Sequence, residues 1–211
     1  MSAVTLKEQA YFKLRELILN GELKPGEFLT ERTLVDMLGM SRTPIRSALE
    51  RLDVEGLANY TPNKGLVVAE VSIQRAIDLY DFRTAMECFV VRKLSSLSWS
   101  DEDIRWFEDN LSAQKRFADT NDYIQFTTAD SQFHRRLARV YDNAEIIQSM
   151  ERLQDRLYQV ALKVLRKERN RIQVSFEDHS LIFRLILEGK AEEAALAMER
   201  HLEYGKRILI L

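Results

Sequence analysis

The chain has 211 residues, 45% of them hydrophobic and 30% charged, with a net charge of −2 and only 7 Gly and 3 Pro. That profile suits a helix-rich globular protein of one or two domains and excludes a disordered, collagen-like or disulfide-dense chain. No apolar run approaches the ~18 residues of a membrane span, and the N-terminus MSAVTLKEQAYFKLRE has no apolar core of a secretory signal. The single cysteine, Cys88, has no internal disulfide partner, which points to a reducing cytoplasm and a small core residue.

The elements divide the chain near Val71-Ser72, into 1–71 and 72–211. Residues 5–20 form an amphipathic helix with Leu6, Ala10, Leu14, Leu17 and Ile18 on one face, closed by Gly21. Pro25-Gly26 marks a turn. A second helix starts at Thr30 as N-cap and stops at Gly39. A third opens at Ser41, carries Pro44 in its first turn and stops at Gly56. Leu57–Tyr60 and Leu66–Ala69 then read as two strands around TPNKG, a hairpin of the kind that forms a wing.

Helix, helix, tight turn, helix, hairpin is the winged helix-turn-helix order, which sends the helix after the turn into the major groove of DNA. On that helix Ile45, Ala48, Leu49 and Leu52 share the core face, while Arg42, Thr43 and Arg46 lie opposite. Even residues 1–71 are not basic in bulk, but MLGMSRTPIRSAL holds two arginines and no acid. Such a local basic face serves phosphates or guanine edges; the alternative is a solvated helix face with incidental arginines.

The segment GELKPGEFLTERTLVDMLGMSRTPIRSALERLDVEGL resembles the DNA-binding domain of GntR-family regulators. The shared pieces are G-x-L-x-P-G, L-x-E-R, L-G-x-S-R-T and R-x-A-L-x-R-L-x-x-x-G-L. The resemblance implies DNA contacts from Arg32, Arg42, Thr43 and Arg46 and from Gly65 at the wing. Lys64 beside Gly65 is placed to reach the minor groove or a phosphate.

Residues 72–211 read as six helices, near 73–97, 101–119, 122–140, 144–167, 176–188 and 190–208, with capping-box spacings at Ser100/Asp103 and Ser175/Asp178. The expected fold is therefore mainly α, a winged helix-turn-helix followed by an all-α six-helix bundle. His134, His179 and His201 each lie on the apolar stripe of a different helix, and Asp130 stands one turn before His134. One such histidine is usually a satisfied core residue. Three, with a carboxylate, are costly to bury unless a shared cation satisfies them.

D-S-Q-F-H, F-E-D-H-S-L-I-F and A-L-A-M-E-R-H-L resemble the metal motifs of the FCD ligand-binding domain, found in the FadR branch of the GntR family. That resemblance implies Asp130, His134, His179 and His201 as ligands of a divalent transition metal. Zn²⁺ is the foremost candidate, with Ni²⁺, Co²⁺, Fe²⁺ or Mn²⁺ as alternatives. It also implies a small carboxylate effector, with Arg83 facing its pocket or pairing with Glu87, and a homodimer on a near-palindromic double-stranded DNA operator. A purely structural metal is the alternative within the same class. A metalloenzyme with an accessory DNA-binding domain is the alternative outside it, weakened by the absence of an H-E-x-x-H pairing.

Overall fold

The computed structural model describes residues 4–168 and 170–210, which fall into two compact units divided between Val71 and Ser72. No helix among the described residues is long and apolar enough to cross a membrane.

In the first unit α1 (Leu6–Leu19) opens with a capping box in which Thr5 accepts from the Glu8 amide and the Glu8 carboxylate accepts from Thr5 N–H. Ala10, Leu14, Leu17 and Ile18 are buried, but Leu6 is exposed and Tyr11 takes a core place instead, its hydroxyl donating to Glu55 at 2.6 Å. Leu6 is the first helical residue, before the stripe reaches the core.

Helix α2 (Glu31–Leu38) starts at Thr30, whose hydroxyl accepts from Thr33 N–H at 3.1 Å, and ends at Gly39 in the left-handed conformation. Helix α3 (Arg42–Val54) follows after Met40 and Ser41, a turn tight enough to fix its angle to α2. Ile45, Ala48, Leu49 and Leu52 all lie at 1% exposure or less and pack with Leu14, Leu34, Leu57 and Leu66. Each such side chain contributes roughly 1.5–3 kcal/mol by burial.

The strands are β2 (Ala58–Thr61) and β3 (Gly65–Val68), antiparallel, with Ala58 opposite Val68 and Thr61 opposite Gly65. A further strand, β1 (Phe28–Leu29), pairs antiparallel on the other edge of β3, so the sheet order is β1-β3-β2. The hairpin expected from sequence is thus two-thirds of a sheet. Two residues are too few to show the alternation by which a strand is recognised.

The second unit comprises α4 (Ile73–Leu94), α5 (Asp101–Asp119), α6 (Tyr123–Tyr141), α7 (Ala144–Lys167), α8 (Arg171–Leu187) and α9 (Ala191–Ile210). The first helix packs on the last, α6 lies between α5 and α7, and α8 contacts α5 and α9. Ser72, Ser100, Asp122 and Asn143 cap their helices through side-chain oxygens. Ser175 does not: α8 begins at Arg171, and Ser175 is buried within it. The spacing alone could not reveal that the helix starts a turn earlier, after Asn170 at φ +68°. Helix α4 likewise ends at Leu94 rather than Leu97.

Candidate metal centre and nucleic-acid interface

Helices α6, α8 and α9 bring Asp130, His134, His179 and His201 together, all buried, with one ligand atom of each within 4.8 Å of every other. Asp130 and His134 are one turn apart on α6. The Phe133 ring stacks on His179 with centroids 4.5 Å apart and continues into Phe107 and Phe183, so an aromatic wall holds the imidazole in place.

The orientation of each ring follows from a partner at Nδ1. His134 Nδ1 meets Glu87 Oε2, His179 Nδ1 meets Gln114 Oε1 at 2.7 Å, and His201 Nδ1 meets Asp178 Oδ2 at 3.0 Å. Acceptors at all three place the proton on Nδ1 and leave a lone pair on every Nε2. Those Nε2 atoms converge. His179 Nε2 and His201 Nε2 are 3.2 Å apart, and Asp130 Oδ1 is 3.5 Å from His179 Nε2 and 3.9 Å from His134 Nε2. His134 Nε2 is buried without a hydrogen-bond partner among the described residues.

Burial, then the neighbouring His201 and His134, push His179 well below the usual imidazole range. Burial, then Arg171 and His134, do the same to His201. Both rings are therefore neutral near pH 7, the form that ligates metals. Burial raises the Asp130 carboxyl against the pull of His134 and Arg83. Four electron-rich atoms facing one dry space are costly without a cation among them. The 3.2 Å edge is close to the ~3.3 Å of a tetrahedron with bonds of ~2.0–2.1 Å. Three imidazoles and a carboxylate, each imidazole braced by a further hydrogen bond, fit a divalent transition metal.

Of the residues that brace this cluster, sequence reasoning passed over Gln114 and Arg171, and it named Glu87 only as a partner of Arg83 and Asp178 only as a capping residue. Arg171 donates to Asp178 Oδ2 at 3.4 Å and to the His201 carbonyl at 3.2 Å. A signal existed for Gln114: with Asn110 it interrupts the apolar stripe of α5, where both are buried.

Arg83 pairs with Glu87 and also lines a cleft. Its Nε donates to Glu87 Oε1 at 2.6 Å, and it lines a cleft with Asp130, Ser131, His134, Gln154 and Tyr158. The cleft is small and opens to solvent. Burial raises the Glu87 carboxyl, but Arg83 and His134 more than offset that and hold it down at about 2. Glu87 thus joins Arg83 to a ring of the metal centre.

In the first unit Arg42 and Thr43 are exposed at the start of α3, beside buried Pro44, and Lys64 is exposed in the wing turn. Arg32 is largely free, its side chain 88% exposed and 4.0 Å from Asp36. Arg46 differs from the open arginine expected from sequence: Nε donates to Glu31 Oε2 at 3.0 Å and Nη2 to Asn63 Oδ1 at 2.7 Å. Gly65 is buried at φ +144°, where an added Cβ would lie 2.1 Å from the Leu29 carbonyl oxygen. Its lack of a side chain is needed by the sheet.

A winged helix-turn-helix with an exposed basic turn, joined to an all-helical domain around buried histidines, defines a DNA-binding regulator. The family model for bacterial regulatory proteins of the gntR family matches residues 6–68, and the FCD domain model matches residues 78–204. The chain belongs to the GntR family of transcriptional regulators, in the branch that carries an FCD domain. It is 30% identical over 198 residues to an HTH-type transcriptional regulator of Streptomyces ambofaciens, covering 94% of this chain and 82% of the relative. It is 24% identical over 201 residues to the HTH-type transcriptional repressor RspR of Escherichia coli, covering 94% and 86%. Among solved structures, E. coli McbR/YncC shares the fold with a TM-score of 0.81 at 20% identity, covering 99% of this chain and 98% of that one. These families and relatives are regulators, not enzymes.

Proposed function

We propose that the chain is a cytoplasmic repressor that binds a near-palindromic operator as a homodimer and whose helical domain holds a divalent metal and a small carboxylate effector. The observation that carries this reading is the convergence of three buried histidines and Asp130 beside a cleft lined by Arg83. A metal bound there supplies a Lewis-acidic positive charge. The protein's own part is to keep His179 and His201 neutral, to orient all three rings and to offer Arg83 as counter-charge for a carboxylate. The name of the E. coli relative supports repression. One small winged helix doubles its contact with DNA by two-fold pairing, which supports the dimer.

The test is calorimetric titration of small carboxylates into metal-loaded protein, metal-free protein and the protein–operator complex. Effector affinity is expected to fall on metal removal, and to differ with and without operator by roughly 5- to 150-fold, the usual range of coupling between linked sites. Equal affinity with and without metal would show that the ion does not hold the effector, and loss of the fold on metal removal would make the ion structural.

Arg42→Ala is expected to weaken operator binding while leaving helical content unchanged. If Arg42 reads a guanine, discrimination at that base falls by ~1–3 kcal/mol. If it meets only phosphate, affinity drops for all sequences and the salt slope flattens by about one unit. Wild-type affinity at low and moderate salt would remove the start of α3 from the interface.

A further inference from the structure

A buried carboxylate sits behind the DNA-reading face. Glu31 is the first residue of α2, and only 8% of its surface is exposed. Four bonds from three elements hold it: an Arg46 Nε hydrogen bond and an Arg46 Nη2 ion pair, each at 3.0 Å, from α3, a hydrogen bond from the Tyr60 hydroxyl at 2.8 Å from β2, and one from Asn63 N–H at 3.1 Å from the wing turn. Asn63 holds a left-handed conformation at φ +64°, which asparagine adopts more readily than most residues with a side chain, and its Oδ1 accepts from Arg46 Nη2 at 2.7 Å. Helix α2, the recognition helix and the wing are thus tied at one point.

We propose that Glu31 is the positioning residue of the DNA-reading face, setting the wing against the recognition helix through Arg46. The inference rests on α3 and the wing being that face. With Nε and Nη2 committed to Glu31 and Asn63, Arg46 has only the two N–H groups of Nη1 to offer, and both bidentate edges of its guanidinium are taken up. It is a strut between helix and wing, and the base-reading role falls to residues at the exposed start of α3. Pinning these elements before DNA arrives removes an ordering cost from binding. It also explains why a carboxylate stands close to where a polyanion docks.

That last point gives the test its sign. By charge alone, Glu31→Gln removes a negative charge near phosphates and should strengthen binding to every sequence. As a positioning residue, its loss should instead weaken operator binding by about 5- to 100-fold, the span of coupling within one hydrogen-bond network. Binding to unrelated DNA should stay equal or rise, so the ratio of specific to nonspecific affinity collapses. In an Arg46→Ala background Glu31→Gln should cost little more, whereas Arg42→Ala should multiply independently with it. Tyr60→Phe removes one of the four bonds without changing volume, and should lower the same ratio to a smaller degree even if Glu31→Gln fails to fold.

The measurements are titrations of the full chain with operator and with scrambled duplex, with helical content checked by circular dichroism. Operator binding by Glu31→Gln at or above the wild-type level, together with an unaffected ratio in Tyr60→Phe, would overturn the proposal. If Arg42→Ala also binds as wild type, the fault lies in the assignment of the DNA-reading face; if Arg42→Ala is weakened, it lies in the role given to Glu31.

Discussion

Replacing His179 by alanine is expected to lower metal affinity by well over 100-fold and to abolish the thermal stabilisation that metal gives the helical domain. His179 is fully buried, its Nε2 is 3.2 Å from His201 Nε2 and 3.5 Å from Asp130 Oδ1, and its other nitrogen is held by Gln114. Removing an outer partner such as Gln114 typically costs 10- to 100-fold in metal affinity, so removing the ligand itself exceeds that range. Metal that binds only the folded state raises the melting temperature with concentration. Added Zn²⁺ should shift the wild-type transition of residues 72–211 and leave that of His179→Ala unmoved. Metal content after dialysis against a weak chelator gives the second readout. Retention of metal at the wild-type level would exclude His179 as a ligand.

Substituting Gly65 is the second large expected effect, this time in the other unit. Alanine at φ +144° is strained wherever it sits, and its Cβ would stand 2.1 Å from the Leu29 carbonyl oxygen and 2.9 Å from Thr30 Cα. Both obstacles are backbone and cannot swing aside. Backbone strain of ~1–3 kcal/mol and overpacking of ~1–3 kcal/mol combine to about 2–6 kcal/mol. The movement required would part β1 from β3, because Leu29 pairs with Leu66 directly after the clash. Scanning calorimetry should show the transition of the N-terminal unit lowered while that of the helical unit holds its place. Lys64→Ala, one residue away and exposed, should leave both transitions unchanged and weaken DNA binding alone. An unshifted Gly65→Ala transition would mean that the sheet edge yields more freely than its geometry allows.

The contrast between these residues shows which features sequence alone can carry. Three histidines on three apolar stripes are visible because polar residues in a hydrophobic rhythm break a periodic signal. The caps at Thr30 and Ser100 are visible because they depend on residues three apart. The partners that fix each imidazole come from Glu87, Gln114 and Asp178, and the first two are 47 and 65 residues from the rings they hold. No local pattern encodes such distances. Arg46 shows the same limit: its place opposite the core face of α3 is local, but its capture by Glu31 and Asn63 depends on how α2 and the wing meet it. Strand β1 and the early start of α8 are invisible for the opposite reason, being too short or too weakly marked to outweigh their surroundings.

The packing of α4 on α9 has a consequence for how the chain comes off the ribosome. The Arg92–Glu192 ion pair joins residues 100 apart, and buried Leu79, Val90, Val91 and Leu94 belong to the helix that α9 covers. At roughly 5–20 residues per second, that helix waits on the order of 5–20 s for its cover. All residues of the N-terminal unit have been synthesised once Val71 is reached. Nascent chains therefore carry a finished DNA-reading unit while the apolar face of α4 is still bare, and any aggregation or chaperone capture should act in that interval. Ribosome-stalled chains of increasing length, probed by limited proteolysis, should show residues 4–71 protected early and residues 72–94 protected only after α9 has emerged.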